Sequence, residues 1–165
     1  MKKFIVFIML LLPLGMVAQE VKIAVVKTNE IFNIMPEVAD MESKMAAHKQ
    51  QYQQTQKVMQ DEYTRKYADL TAQGDTLNVN IRNMRLQEIQ DIATRLENFV
   101  PMATEDLEKK QEELLAPIQE KVQKAINEVG EENGYTYIIN PGVMLYMGPS
   151  AVDATEKVKA KLGLK

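Results

Sequence analysis

The longest continuous pattern in this sequence is a helical repeat that covers residues 37–129 and has one break, near Gly74-Asp75-Thr76. At about 1.5 Å of rise per residue, the first half alone predicts a helix on the order of 50 Å long. A chain of 165 residues has no globular core that spans this distance. Short apolar segments of β type flank the repeat at 22–26, 135–139 and 143–147. We therefore predict an α+β protein in which a long antiparallel helical hairpin is inserted between the strands of a small body.

The first nineteen residues have the features of a secretory signal peptide. Lys2 and Lys3 precede an unbroken apolar run at 4–12, and Ala18 supplies a small residue at a plausible cleavage point. The apolar run is too short to span a membrane. We expect residues 1–19 to be removed and the mature chain to be exported, with a periplasmic location.

Composition narrows the function further. The chain contains no cysteine, which excludes disulfides, thiol nucleophiles and a lipid-modified cysteine at the N-terminus. Without Lys2 and Lys3, 18 basic residues stand against 23 acidic ones, a net charge of −5. A nucleic-acid-binding protein needs a basic stripe, and an anionic lipid surface attracts polybasic segments. We therefore expect no nucleic-acid partner.

Both halves of the repeat carry an apolar stripe with alternating steps of three and four, typical of a coiled-coil seam. The first stripe consists of Val38, Met41, Met45, His48, Tyr52, Thr55, Met59, Tyr63, Lys66 and Leu70. The second consists of Ile81, Met84, Glu88, Ile92, Leu96, Phe99, Ala103, Leu107, Leu114, Ile118, Val122, Ala125 and Val129. We predict that these two stripes face each other along the hairpin arm at 37–129.

The second half of the arm begins after turn residues at 73–77, which form the predicted tip. Asp75 or Thr76 is the expected cap of the second helix. Pro101 and Pro117 lie inside that helix, where each removes a backbone hydrogen bond and clashes with the preceding turn. We expect two kinks that divide the second helix into a distal prong and a segment descending into the body.

The body is predicted from both ends of the mature chain, residues 20–36 and 130–165. Thr28 or Asn29 caps a short helix, and Gly134 ends the long one. Segments 135–140 and 143–147 are interpreted as two strands joined by an Asn-Pro-Gly turn. Asp153 and Glu156 form a capping box for a last helix over 154–162. A core of about fifty residues is marginal alone, so self-association through the body is expected.

Several of these segments resemble the OmpH/Skp family of periplasmic chaperones. The resemblance lies in LLAPI at 114–118, KAI at 124–126, ENGYTYI at 132–138, LY at 145–146, and Asp153 ahead of Val158 and Leu162, together with KIAVV at 22–26, EI at 30–31 and PE at 36–37. It implies a homotrimer with a β-rich body and three helical arms around a cavity. It also implies that unfolded outer-membrane proteins are held there without ATP.

The residues offer nothing that supports an enzyme. His48 is the only histidine and is interpreted as a polar break in the seam, because no neighbouring residues complete a catalytic or metal-binding set. There is no phosphate-binding glycine loop and no serine elbow. We therefore predict no catalytic residues, no metal and no cofactor.

Two groups of arm residues are the candidates for binding. Apolar residues outside the stripes face solvent, a neighbouring arm or a client protein: Val58, Tyr67, Val79, Leu86 and Val100. Four basic residues at similar distances from the turn form a possible tip cluster: Arg65, Lys66, Arg82 and Arg85. The alternative for this cluster is ordinary solvated charge, since acidic residues lie nearby.

Two functional questions stay open at the level of sequence. The best-known member of the family is basic, whereas this chain is acidic, so contact with lipopolysaccharide or a membrane surface is undecided. A trimeric coiled-coil scaffold or spacer that binds a folded partner is the alternative to the chaperone.

Overall fold

The structure is a computed structural model that describes residues 21–73 and 76–164. The predicted signal peptide and the possible cap Asp75 lie outside the described residues. The chain is mostly helical with one small sheet. In chain order the elements are β1 (Ile23–Val25), α1 (Thr28–Ile34), α2 (Pro36–Gln73), α3 (Val79–Asn133), β2 (Tyr137–Ile139), a 3-10 turn (Pro141–Val143), β3 (Val152–Asp153) and α4 (Thr155–Lys161).

The sheet has three strands in the order β2-β1-β3, and both neighbours run parallel to β1. Ile23 is opposite Tyr137, and Val25 is opposite both Ile139 and Asp153. As the central strand, β1 is covered on both faces, and Ala24, Val25 and Val26 at its end are buried. A parallel sheet of this kind needs helices on its faces. Here α1, the end of α3 and α4 supply them.

The body core is one cluster that joins both ends of the described chain. Its buried members are Ala24, Val26, Ile31, Met35, Ile118, Val122, Ala125, Val129, Ala154 and Val158. Burying each large aliphatic side chain contributes about 1.5–3 kcal/mol. The last four turns of α3 therefore belong to the body as much as to the arm.

The predicted strand at 143–147 is absent, and the predicted strand-turn-strand unit is wrong. A 3-10 turn occupies Pro141–Val143, and the Asn140 side chain accepts a hydrogen bond from the Gly142 N–H at 3.0 Å. The third strand is instead Val152–Asp153, which takes the remaining edge of β1. Because β2 and β3 occupy both edges of β1, segment 143–147 has no place beside it.

The structure confirms some of the predicted helix ends of the body and contradicts others. Gly134 ends α3 with a left-handed backbone at φ 64°, as predicted for the C-cap. Asp153 accepts a hydrogen bond from the Thr155 N–H at 2.9 Å at the start of α4. The capping box is incomplete, however, since the Glu156 carboxylate pairs with Lys159 at 2.7 Å. α1 begins at Thr28 and has no side-chain cap, so the Thr28 or Asn29 cap is wrong.

α2 and α3 pack along their length and run in opposite directions. Ion pairs join Glu37 to Lys121 at the body end and Lys66 to Glu88 near the far end, where the Nζ–Oε2 distance is 2.7 Å. Apart from Val25 of β1, the buried apolar residues outside the body cluster lie on this seam: Leu70, Ile89, Ile92, Phe99 and Ala103. A seam of this kind buries only one narrow strip of each helix, so the stability of the paired helices depends on a few contacts.

The first turns of α3 differ from the predicted stripe. Asn78, rather than Asp75 or Thr76, caps the helix, and its side chain accepts a hydrogen bond from the Asn80 N–H at 2.9 Å. Ile81, Met84 and Glu88 are exposed, although the stripe placed all three in the seam. Arg85 faces α2 instead and donates a hydrogen bond to the Gln73 side chain at 3.0 Å.

Neither internal proline ends the helix. α3 continues from Val79 to Asn133 through Pro101 and Pro117. A continuous helix can bend at an internal proline, so the two kinks stay a prediction. Both prolines are exposed. Water can therefore hydrogen-bond to the carbonyl groups that the missing proline N–H groups leave without a partner, which offsets the lost hydrogen bond of each proline.

Candidate binding surfaces of the arm and body

The predicted off-seam apolar residues of the arm are all exposed. Val58, Tyr67, Val79, Leu86 and Val100 have between 47% and 71% of their surface accessible. They lie at separate points along α2 and α3 and do not converge on one pocket. The arm thus presents scattered apolar contact points along both helices.

Three further exposed apolar residues were not predicted as surface: Ile81, Met84 and Met102. Ile81 and Met84 were assigned to the seam because they continue its spacing. The sequence gives no direct sign of their exposure, since the register at the start of α3 depends on the loop that precedes it. Their exposure adds to the apolar surface near the far end of the arm.

The distal groove is a depression of about 540 Å³ between the two helices near the tip. We define it by its lining residues: Arg65, Lys66, Asp69 and Gln73 of α2, and Ile81, Met84, Arg85 and Glu88 of α3. Three of the four predicted basic residues meet here, whereas Arg82 does not line the groove. Lys66 pairs with Glu88 across it, so the groove carries three cations and two carboxylates.

The middle of the arm has a small apolar depression of about 170 Å³ beside Val100. The Phe99 ring lies edge-on to the Tyr52 ring, with 5.9 Å between the ring centroids. The Tyr52 hydroxyl donates a hydrogen bond to Asp106, and this carboxylate raises the pKa of Tyr52. These contacts hold the two helices together in the middle of the arm.

The junction between arm and body is held by Glu37 at the start of α2. Its carboxylate accepts a hydrogen bond from Lys121, and this bond lowers the pKa of Glu37. Glu37 also lies in the first turn of the helix, where the helix dipole favours a negative charge.

The body exposes the most concentrated apolar surface. Val143, Leu145 and Tyr146 are 77%, 107% and 80% exposed, and Met147, Tyr137 and Val152 are exposed nearby. A groove of about 670 Å³ runs from this segment to β1 and Lys157. The Lys157 ammonium lies 5.5 Å from the centre of the Tyr135 ring and donates a hydrogen bond to its hydroxyl at 3.2 Å.

No cluster of three or more His, Asp or Glu side chains within residues 21–73 and 76–164 is arranged to hold a metal ion. His48 lies half-buried on α2. In the same part of the chain, no helix combines the length and the apolar character needed to cross a membrane.

Comparison with known proteins identifies the family. A family model described as outer membrane protein (OmpH-like) matches residues 22–162, which include β1, both long helices and α4. The chain belongs to the OmpH-like family. No curated protein sequence matches it.

The OmpH-like fold is also seen in a solved structure. A crystal structure of a proposed OmpH-like outer membrane chaperone from Caulobacter crescentus CB15 superimposes with a TM-score of 0.74. The two sequences are 12% identical, and the match covers 85% of this chain and 82% of the other. At this identity the likeness establishes a shared fold. The match includes most of the body and the arm, so their combination belongs to the fold itself.

Proposed function

We propose that this protein is an ATP-independent holdase that binds unfolded outer-membrane proteins and prevents their aggregation. The observation that carries the proposal is the row of exposed apolar side chains along a two-helix arm that extends from a small body. Membership of the OmpH-like family and the Caulobacter chaperone of the same fold support a chaperone role.

The arm supplies many weak contacts and no strong one. Covering a half-exposed Val, Leu or Tyr side chain contributes on the order of 1 kcal/mol. Several such contacts on linked arms raise the total affinity through effective concentration. The client remains mobile between them, and its folding into a membrane is the more favourable end state. Release then needs no nucleotide, and the protein needs no catalytic group.

The apolar body segment supports assembly as a homotrimer. Met144 has an extended backbone at φ −98° and ψ 133°, and segment 143–147 has strand-forming side chains without a strand partner in the described part of its own chain. β2 and β3, in turn, have unpaired outer edges in the three-stranded sheet. An unpaired strand and an open sheet edge on the same molecule favour pairing between copies. Three copies joined at the body would place their arms around a shared cavity.

The predicted signal peptide supports a periplasmic location. Outer-membrane proteins cross this compartment before they fold, so a holdase there meets them in the unfolded state.

An aggregation assay tests the proposal. The purified protein is mixed with a urea-unfolded outer-membrane barrel, the urea is diluted, and light scattering is recorded. We expect scattering to be suppressed at about one trimer per client. Replacing Val58, Tyr67 and Val100 with Ser should weaken suppression, whereas the same change at the exposed polar residues Gln54, Gln60 and Gln90 should not. Unchanged scattering with the wild-type chain would favour the scaffold that binds a folded partner.

A separate measurement tests the assembly. We expect Leu145→Ser with Tyr146→Ser to lower the mass found by sedimentation velocity, because both side chains are exposed in the single chain and would be buried between copies. An unchanged mass would place the contact between copies elsewhere.

A further inference from the structure

We propose that the distal groove is a peptide-binding site for client segments that carry one carboxylate beside a bulky apolar side chain. This inference rests on the proposed holdase function and names the chemistry that the arm recognises. It requires that charge and apolar surface occur together in one groove of suitable size.

The distal groove has both the charge and the apolar surface that the proposal requires. Ile81 and Met84 line the groove from α3, and Met84 is 65% exposed, so an apolar side chain can lie against them. The volume of about 540 Å³ is within the range of sites that hold small ligands, and it can admit a few side chains of an extended peptide. The depression beside Val100 is smaller, about 170 Å³, and has one lysine, Lys49, on its wall.

The cations in the groove differ in their availability. Lys66 is engaged by Glu88. Arg85 donates a hydrogen bond to the neutral Gln73 side chain, which fixes its guanidinium while leaving other N–H groups for a ligand. Arg65 lines the same groove and is exposed. A guanidinium binds a carboxylate with two parallel hydrogen bonds, so Arg65 and Arg85 are the two groups that recognise the acidic side chain.

The groove suits a single carboxylate better than an anionic membrane. Asp69 and Glu88 lie on its walls and reduce its charge to a net +1. A lipid surface attracts clusters of four or more basic residues, and the whole chain carries −3. The two acidic walls repel a polyanionic surface, whereas one peptide carboxylate can approach the two arginines between them.

The test uses the full mature chain and a fluorescent peptide that contains one Glu between Phe and Leu. A second peptide has Gln in place of Glu, and phosphatidylglycerol vesicles serve as the lipid probe. We expect the Glu peptide to bind more tightly than the Gln peptide by fluorescence anisotropy. We expect R65Q/R85Q to weaken binding of the Glu peptide about fivefold to tenfold and to abolish its preference over the Gln peptide.

The matched control is R82Q/R95Q, which removes the same charge from exposed arginines of α3 that do not line the groove. It should change the affinity less than twofold. Equal losses in both variants would overturn the proposal, since they would show an effect of overall charge. Equal binding of the two peptides, or binding to the vesicles in place of the peptide, would also overturn it.

A second pair of variants tests whether the apolar wall of the groove contributes to binding. Met84→Ser should weaken binding of both peptides, whereas Gln90→Ser, at an exposed residue of the same helix outside the groove, should leave both unchanged. No difference between these variants would count against the groove as the site. Wild-type protein that suppresses barrel aggregation and yet fails the peptide tests would refute this inference alone. Failure to suppress aggregation would refute the holdase function.

Discussion

Truncating Phe99 should unfold the arm without unfolding the body. Phe99 is 8% exposed and makes an edge-on contact with Tyr52 across the seam. Removing a buried Phe side chain costs about 3–5 kcal/mol. We take about 3 kcal/mol, because a seam between two helices can partly close around the gap. The buried cluster of the body does not include Phe99, so this loss falls on the arm alone.

Hydrogen exchange followed by mass spectrometry measures the effect. A loss of about 3 kcal/mol raises the population of locally open arm about 100-fold, so amides of both helices around residues 50–60 and 92–104 should exchange faster by that factor. Amides near Val129 should not change.

The neighbouring Val100 supplies the control. It is 48% exposed on the same helix, and Val100→Ala should alter exchange less than threefold. If Phe99→Ala accelerates exchange equally in arm and body, the two parts unfold together and the reasoning from separate clusters is wrong. The same conclusion holds if Val100→Ala has an equal effect.

Three other substitutions should have smaller effects on stability or client binding. The Lys121 hydrogen bond lowers the pKa of Glu37 from its ordinary value of 4.5, so the pair stabilises the fold above that pH, and this stability is lost as the pH falls through the folded-state pKa. Glu37→Gln should therefore reduce the loss of stability below pH 4.5, measured by urea unfolding. Gly134→Ala should cost about 1 kcal/mol in the same assay, since φ is 64°, and Gly134→Asn should cost less. Pro101→Ala with Pro117→Ala should stiffen α3 and narrow the range of barrel sizes held, and equal aggregation suppression for small and large barrels would contradict that role.

The features that the sequence predicted well depend on neighbours close in the chain. β1 and β2 are short apolar runs bounded by turn signals, and each lies within its predicted segment. Gly134 ends the long helix because a left-handed residue suits a glycine at that position. Exposure of Val58 and Tyr67 followed from their places outside a stripe that α2 does use. Helix periodicity, caps and turns are local, so the sequence contains the information directly.

The features that the sequence did not predict depend on contacts between residues that are far apart in the chain. Segment 143–147 has the residues of a strand, but its pairing depends on which segments occupy the edges of β1. The register at the start of α3 depends on how the tip brings Arg85 opposite Gln73. Ile81 and Met84 fit the stripe by spacing, yet both are exposed, and Arg85 contacts α2 in their place. The distal groove arises from this shift, so its combination of arginines and apolar wall could not be read from either helix alone.

The arrangement of the arm explains how apolar side chains can stay exposed without causing self-association. Val58 and Tyr67 are nine residues apart on α2, which is about 13 Å along the helix, and charged residues lie between them. Contiguous apolar patches of several hundred Å² promote association, whereas single side chains do not. The body has the opposite arrangement, with Val143, Leu145 and Tyr146 in one exposed segment. Concentrated apolar surface therefore favours a permanent contact between copies at the body, and dispersed apolar surface favours many brief contacts with a client along the arms.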